Sequence, residues 1–216
     1  MTKIDIKLPQ IVSDSKESLK QLREVVLNNK DIKTIELCSA LSKEGTTNMC
    51  IGLSDSLAQL NKKVLLFDAD LRATKLKEML SVNTEVEGIY QALESNKNLE
   101  IYTTNIPNLD IVFAGQQTKN SIEMLRDDRF VTEFNRLKAM YDYIVVDTPS
   151  IKKGVDAYTM ANLVDAAAIV VRCDYANIDV VQATKVGLER TGVNILGVVF
   201  NQVKWYHKDY YIYSHK

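Results

Sequence analysis

Two spacings of apolar residues alternate along the chain. Residues 32–38 form a strand-like run interrupted by Lys33, Thr34 and Glu36, and residues 64–67, 109–113, 143–146, 166–171 and 195–200 are short, largely apolar runs; continuous apolar runs are the form expected of strands covered on both faces of a parallel sheet. Between them apolar residues recur every three or four positions. Leu19, Leu22, Val25 and Val26 predict a helix from Ser15 to about Asn28, and Leu53, Leu57 and Leu60 line a second that opens after residue 45. Ile122, Leu125, Val131, Phe134 and Leu137 line a third, broken near Asp127-Asp128, and residues 178–190 form the last. Residues 74–80 and 88–95 read as short helices, and residues 1–14, around Pro9, as an extended arm. Strands alternating with helices predict the α/β class: a doubly wound, mostly parallel sheet flanked by helices, in one domain over 1–204. Ligands of such sheets sit at the carboxyl ends of the strands.

Those ends are where the polar residues gather. The first run leads into Cys38-Ser39-Ala40-Leu41-Ser42-Lys43-Glu44-Gly45-Thr46-Thr47-Asn48, with the place and spacing of a phosphate-binding P-loop. Such a loop uses backbone N–H groups, a lysine on the β/γ-phosphates and a hydroxyl on magnesium. Here the pattern Gly-Lys-Ser/Thr becomes Gly45-Thr46-Thr47. The amides and helix N-terminus still attract an anion, and Thr47 still offers a magnesium ligand, but the lysine charge is gone from its place. Lys43 would have to bend in from the far side of Gly45 to replace it. Asp68 and Asp70 end the second run and Asp147 the fourth. Carboxylates there suit Mg²⁺, and one of them suits proton acceptance in phosphoryl transfer. Turn formation and helix capping are the plainer use of Asp at such positions. Asn201 closes the last run, where an amide that donates and accepts suits adenine and a turn Asn is the alternative. Arg72 fits either a phosphate or subunit contact, or a surface salt bridge.

Composition narrows the setting. The 216 residues carry 46% apolar and 25% charged side chains, enough for a sizeable core, and a net charge of −1, which speaks against a nucleic-acid partner. No run is long enough to span a membrane and no signal peptide opens the chain, so recruitment to a membrane would need a partner. Cys38, Cys50 and Cys173 form no CxxC; Cys38 and Cys173 read as core residues, and a reducing cytoplasm is expected. Glu17, Lys20 and Arg23 form one charged stripe on the first helix, either a solvated face or an oligomer contact. Residues 205–216 hold Tyr206, Tyr210, Tyr211 and Tyr213 with no burying period, and read as exposed, modifiable tyrosines rather than as a terminal strand.

Taken together these residues resemble the bacterial tyrosine kinases of capsule and exopolysaccharide synthesis, within the deviant P-loop ATPases that include the division-site and partition ATPases. The resemblance runs from about residue 17 to 201. Val64-Leu65-Leu66-Phe67-Asp68-Ala69-Asp70-Leu71-Arg72 is close to the family's Walker A′ motif, Tyr141 through Pro149 resembles its Walker B segment, and Gly197-Val198-Val199-Phe200-Asn201 its last core strand. Residues 115–125 resemble a proline-rich family segment without its prolines. Glu17, Lys20 and Arg23 are similar to the Glu-x-x-Arg-x-x-Arg oligomerisation helix, with Lys for the middle Arg.

The resemblance implies ATP/ADP with Mg²⁺ and a homo-oligomer. It assigns Asp68 as catalytic base, Thr47, Asp70 and Asp147 to magnesium, Asn201 to adenine, residues 43–47 to the phosphates, and the tail tyrosines to autophosphorylation. It implies a separate membrane chain-length-determinant protein as activator, a cognate tyrosine phosphatase, and a cytoplasmic chain recruited to the inner face of the membrane. The departures lie in the loop. Without gaps Thr46 stands at the family's lysine and Leu41 at the deviant group's extra lysine; with a two-residue deletion Thr46-Thr47 match the family's Thr pair. Either way the lysine is lost. An attenuated kinase, a pseudokinase kept as an assembly module, and a positioning ATPase all stay open.

Overall fold

The computed structural model describes residues 2–73 and 75–203. The expected phosphorylation sites Tyr206, Tyr210, Tyr211 and Tyr213 lie outside the described residues. In chain order the elements are β1 (Thr2–Ile4), α1 (Gln10–Asp14), α2 (Lys16–Leu27), β2 (Thr34–Ser39), α3 (Thr46–Ala58), β3 (Val64–Asp68), α4 (Lys75–Met79), α5 (Ile89–Glu94), β4 (Tyr102–Thr104), β5 (Leu109–Val112), α6 (Ser121–Arg126), α7 (Asp128–Lys138), β6 (Tyr143–Asp147), α8 (Asp156–Ala161), β7 (Ala166–Arg172), α9 (Ile178–Glu189) and β8 (Asn194–Asn201). The strands form one eight-stranded sheet in the order β1-β4-β5-β3-β6-β2-β7-β8. Every neighbouring pair is parallel except β4 with β5.

The apolar runs become strands because successive residues face opposite layers and both layers are covered. In β3, Val64 and Leu66 face the layer of α2 and α3, while Leu65 and Phe67 face that of α5 to α7. Helix α3 is buried on nearly every side, and apart from Asn48 and Asp55 its residues are apolar or small. Helix α7 is amphipathic: Phe130, Phe134 and Leu137 are buried, and Phe67 meets the Phe134 ring edge-on at 5.2 Å. The break before α7 falls where expected. Asp127 is extended and its carboxylate accepts from the Arg129 amide, an N-cap.

The arm is more ordered than its sequence suggests, since Thr2–Ile4 adds an edge strand beside β4 and residues 10–14 form α1. Cys173 is half-buried, not core; it follows β7 by one residue, where the strand leaves the interior. Cys38 and Cys50 are fully buried. Among the described residues no helix is long and apolar enough to cross a membrane.

Candidate functional site

The loop, Asp68, Asp70 and Asp147 converge at the carboxyl edge of β2, β3 and β6, and Asn201 reaches the loop from the end of β8. The chain leaves β2 after Ser39, turns through residues 40–45 and enters α3 at Thr46. Gly45 is the N-cap, at φ 93°, a left-handed conformation that glycine adopts without a Cβ clash. A Cβ there would also lie 2.1 Å from Asn201 Nδ2. Thr46 therefore opens the helix, where a P-loop places its lysine, and Thr47 follows.

The loop is braced from within. Glu44 is buried, and its carboxylate accepts from Leu41 N (2.7 Å) and Arg172 N (3.3 Å). Asn201 Nδ2 donates to Glu44 O at 2.8 Å, while its Oδ1 accepts from Gln202 N. Glu44 and Asn201, expected to contact nucleotide, both hold the loop's shape in this structure. Lys43 is exposed at φ 70°, and among the described residues its side chain forms no hydrogen bond or ion pair.

Asp68 and Asp147 are register partners across β3 and β6, and Asp70 follows on the turn. All three are buried. Burial, with the negative charges of Asp147 and Asp70, holds Asp68 well above the usual carboxylate range, although the Asp70 and Ala114 amides oppose this. Burial pushes Asp147 up to about 7, against hydrogen bonds from the Thr47 hydroxyl and the Cys50 thiol. Asp70 is raised by burial and held down by Lys153 and Lys75. Carboxylates that are hard to ionise side by side mark a place for a cation. The donors are oxygens, which suits Mg²⁺. Among the described residues no three His, Cys, Asp or Glu side chains are gathered closely enough to hold one metal together. An ion here would take one or two carboxylates with the Thr47 hydroxyl and water, as Mg²⁺ commonly does.

Asp68 also forms part of the wall of a cleft of about 430 Å³ whose lining includes Val82, Val86, Phe113, Lys77 and Glu85. Three apolar side chains, Val82, Val86 and Phe113, stand among a polar majority that includes Glu78, Gln91 and Gln116, a mixed wall that suits an acceptor with both an apolar body and a polar end. Periodicity could not have revealed this cleft, since its walls come from β3, α4, the 80–91 segment and the end of β5.

Three other participants were missed. Glu36, in the middle of β2, is fully buried, with Thr148 Oγ1 donating to Oε1 at 2.9 Å; burial raises it to about 8. A lone acidic residue inside a strand-like run was the available signal. Lys153 Nζ lies 3.9 Å from Asp70 Oδ2, and Lys75 acts on the same carboxylates. Arg72 pairs with the fully buried Asp156 at 2.9 Å, so it makes an internal rather than a surface salt bridge. Glu17 and Lys20 pair with each other in solvent, whereas Arg23 turns onto α3 and reaches Ser56 O and Oγ at 3.4 Å.

The sequence profile of the family described as an AAA domain matches residues 32–186. The tyrosine-protein kinase CpsD of Streptococcus agalactiae serotype III (strain NEM316) is 30% identical over 203 residues, covering 93% of this chain and 87% of that protein. Among solved structures, the kinase domain of Escherichia coli tyrosine kinase ETK superposes with TM-score 0.81 at 26% identity, covering 87% of this chain and 75% of that one. The septum site-determining protein MinD of Pyrococcus horikoshii, complexed with Mg-ADP, is less similar, with TM-score 0.67 at 24% identity and 79% and 70% covered. With its loop, paired strand-end aspartates and sheet order, the chain belongs to the CpsD-like family of bacterial tyrosine kinases within the P-loop ATPases.

Proposed function

We propose that this chain is a tyrosine kinase-like protein of capsule or exopolysaccharide synthesis, with ATP and Mg²⁺ as ligands and its activity attenuated by the altered loop. The observation that carries the reading is Asp68. It stands beside the Asp147 and Asp70 carboxylates and also lines a cleft of mixed polar and apolar walls. ATP, when bound, supplies the phosphoryl group. The loop amides and the N-terminus of α3 attract its phosphates. Thr47, Asp70 and Asp147 offer the metal ligands, and Asp68 accepts the proton of an acceptor tyrosine hydroxyl. Asn201 keeps the loop in register with β8 through Glu44 O.

The attenuation follows from Thr46. Loss of a fixed positive charge at a triphosphate removes on the order of 10²-fold in rate, a few kcal/mol. The same observation favours the second reading, a pseudokinase retained as an assembly module. The acceptors are the tail tyrosines of a second copy, the partners a membrane activator of the chain-length-determinant type and a tyrosine phosphatase, and the place the inner face of the cell membrane.

The test is phosphotyrosine mapping by mass spectrometry after incubation of the purified chain with Mg-ATP. Slow labelling within 205–216 is expected, and Asp68→Asn should abolish it. Absence of label, also in Thr46→Lys with the activator present, would leave the pseudokinase. Label that survives Asp68→Asn would remove Asp68 from the chemistry.

A further inference from the structure

We propose that Lys153 supplies the phosphate-facing positive charge that the first turn of α3 lacks, an inference that rests on the nucleotide reading above. The turn after β6, residues 151–153, is fastened to the loop. Lys152 N donates to Ala40 O at 3.1 Å, Ser150 Oγ and Ser42 Oγ lie 3.0 Å apart, and Lys153 N donates to Ser150 O at 2.8 Å. The Lys153 backbone is thus fixed relative to the residues that would cradle a phosphate. Its side chain is 32% exposed and brings Nζ to 3.9 Å from Asp70 Oδ2. That separation is too long for a hydrogen bond. The ammonium is therefore drawn to the carboxylates without being locked to one of them, and its four-carbon stem leaves it free to turn. Once a divalent cation neutralises Asp70, the strongest remaining attraction for this ammonium is a bound polyphosphate.

The other cations fit less well. Lys43 points to solvent. Lys75 acts on Asp70 and Asp147, but among the described residues no hydrogen bond ties α4 to the loop. Lys152 is exposed beside Lys153 and serves as a control. Relocating the charge from the helix to the turn after β6 keeps a cation near the phosphates without the fixed geometry of a residue on the helix.

The test reads binding rather than turnover: titration of a fluorescent ATP analogue with Mg²⁺ against wild type, Lys153→Met, Lys152→Met, Lys43→Met, Thr46→Lys and the double variant Thr46→Lys/Lys153→Met. Apo melting temperatures confirm folding. Lys153→Met is expected to weaken binding by about 10- to 100-fold, in line with loss of one phosphate-facing charge. Lys152→Met should stay within about twofold of wild type, as expected of an exposed charge screened by solvent. The double variant should recover at least wild-type affinity, because Thr46→Lys restores the charge from the helix. Wild-type binding that Lys153→Met leaves unchanged overturns this inference alone. So does a loss that Thr46→Lys fails to restore, or a loss in Lys43→Met that Lys153→Met does not share. No binding by any variant overturns the nucleotide reading and this inference with it.

Discussion

Metal binding at this site should be coupled to a proton on Asp147. Burial raises that carboxyl to about 7 from an ordinary 3.8, with Asp70 adding to the shift and Thr47, Cys50 and Lys75 opposing it. A cation binds the ionised form. At pH 8 about nine-tenths of the groups are ionised, at pH 6 about one-tenth, so apparent Mg²⁺ affinity should fall about tenfold between them, roughly 1.4 kcal/mol. Below pH 6 it should fall by a further tenfold or so per unit. The assay is calorimetric titration of Mg²⁺ into protein with a non-hydrolysable ATP analogue at pH 6, 7 and 8. Repeating it in two buffers of different ionisation enthalpy counts the released proton, about half a proton at pH 7. The analogue's phosphate also titrates in this range, so the comparison is with Asp147→Asn, which keeps the shape and carries no charge. Subtracting the variant's profile leaves the contribution of Asp147. Identical pH profiles for wild type and Asp147→Asn would refute the reasoning.

Glu36→Gln should flatten stability against pH. A carboxyl whose folded-state pKa lies above its unfolded value adds stability that is full below the unfolded value and is lost as pH rises through the folded one. For Glu36 that window runs from 4.5 to about 8. Denaturant midpoints should therefore show the variant matching wild type at pH 5 and exceeding it at pH 8, by at most about 5 kcal/mol; equal slopes in the two proteins would count against a buried neutral Glu36. On α2, Glu17→Ala with Lys20→Ala removes only a solvent-exposed pair, so the fold should persist while sedimentation shows a smaller assembly. An unchanged assembly excludes this face from the oligomer contact. Arg23→Ala should instead lower stability by about 1–2 kcal/mol in urea melts, because its guanidinium packs onto Ser56; a neutral result would show that those 3.4 Å contacts hold nothing.

The alternation of strands and helices was legible because burial on both faces of a central strand leaves a continuous apolar run, as in residues 64–67. Asp68, Asp70, Asp147 and Thr47 were legible for the converse reason: polar residues at the ends of such runs stand out. The edge strands were not. β4 is three residues long and β1 lies in a mixed polar arm, so neither has enough positions to show a period; pairing with a neighbour supplies what local pattern lacks. Helix α8 was missed because six residues following a Pro-Ser turn show too little spacing. The internal brace of Glu44, the tilt of Arg23 and the approach of Lys153 to Asp70 each depend on segments 33 or more residues apart meeting in space. Residue type alone placed Glu44 and Lys43 together in the loop; only the fold separates the buried carboxylate from the exposed ammonium.

The claim that the nucleotide site is intact except for its phosphate grip rests most directly on Thr46. Calorimetric titration of Mg-ATP into wild type and Thr46→Lys tests it in one comparison. A working site with a weakened grip predicts measurable but weak binding by wild type and at least about tenfold tighter binding by Thr46→Lys, the scale of one restored phosphate contact. Equal affinities, or tight binding by wild type that Thr46→Lys does not improve, would contradict it.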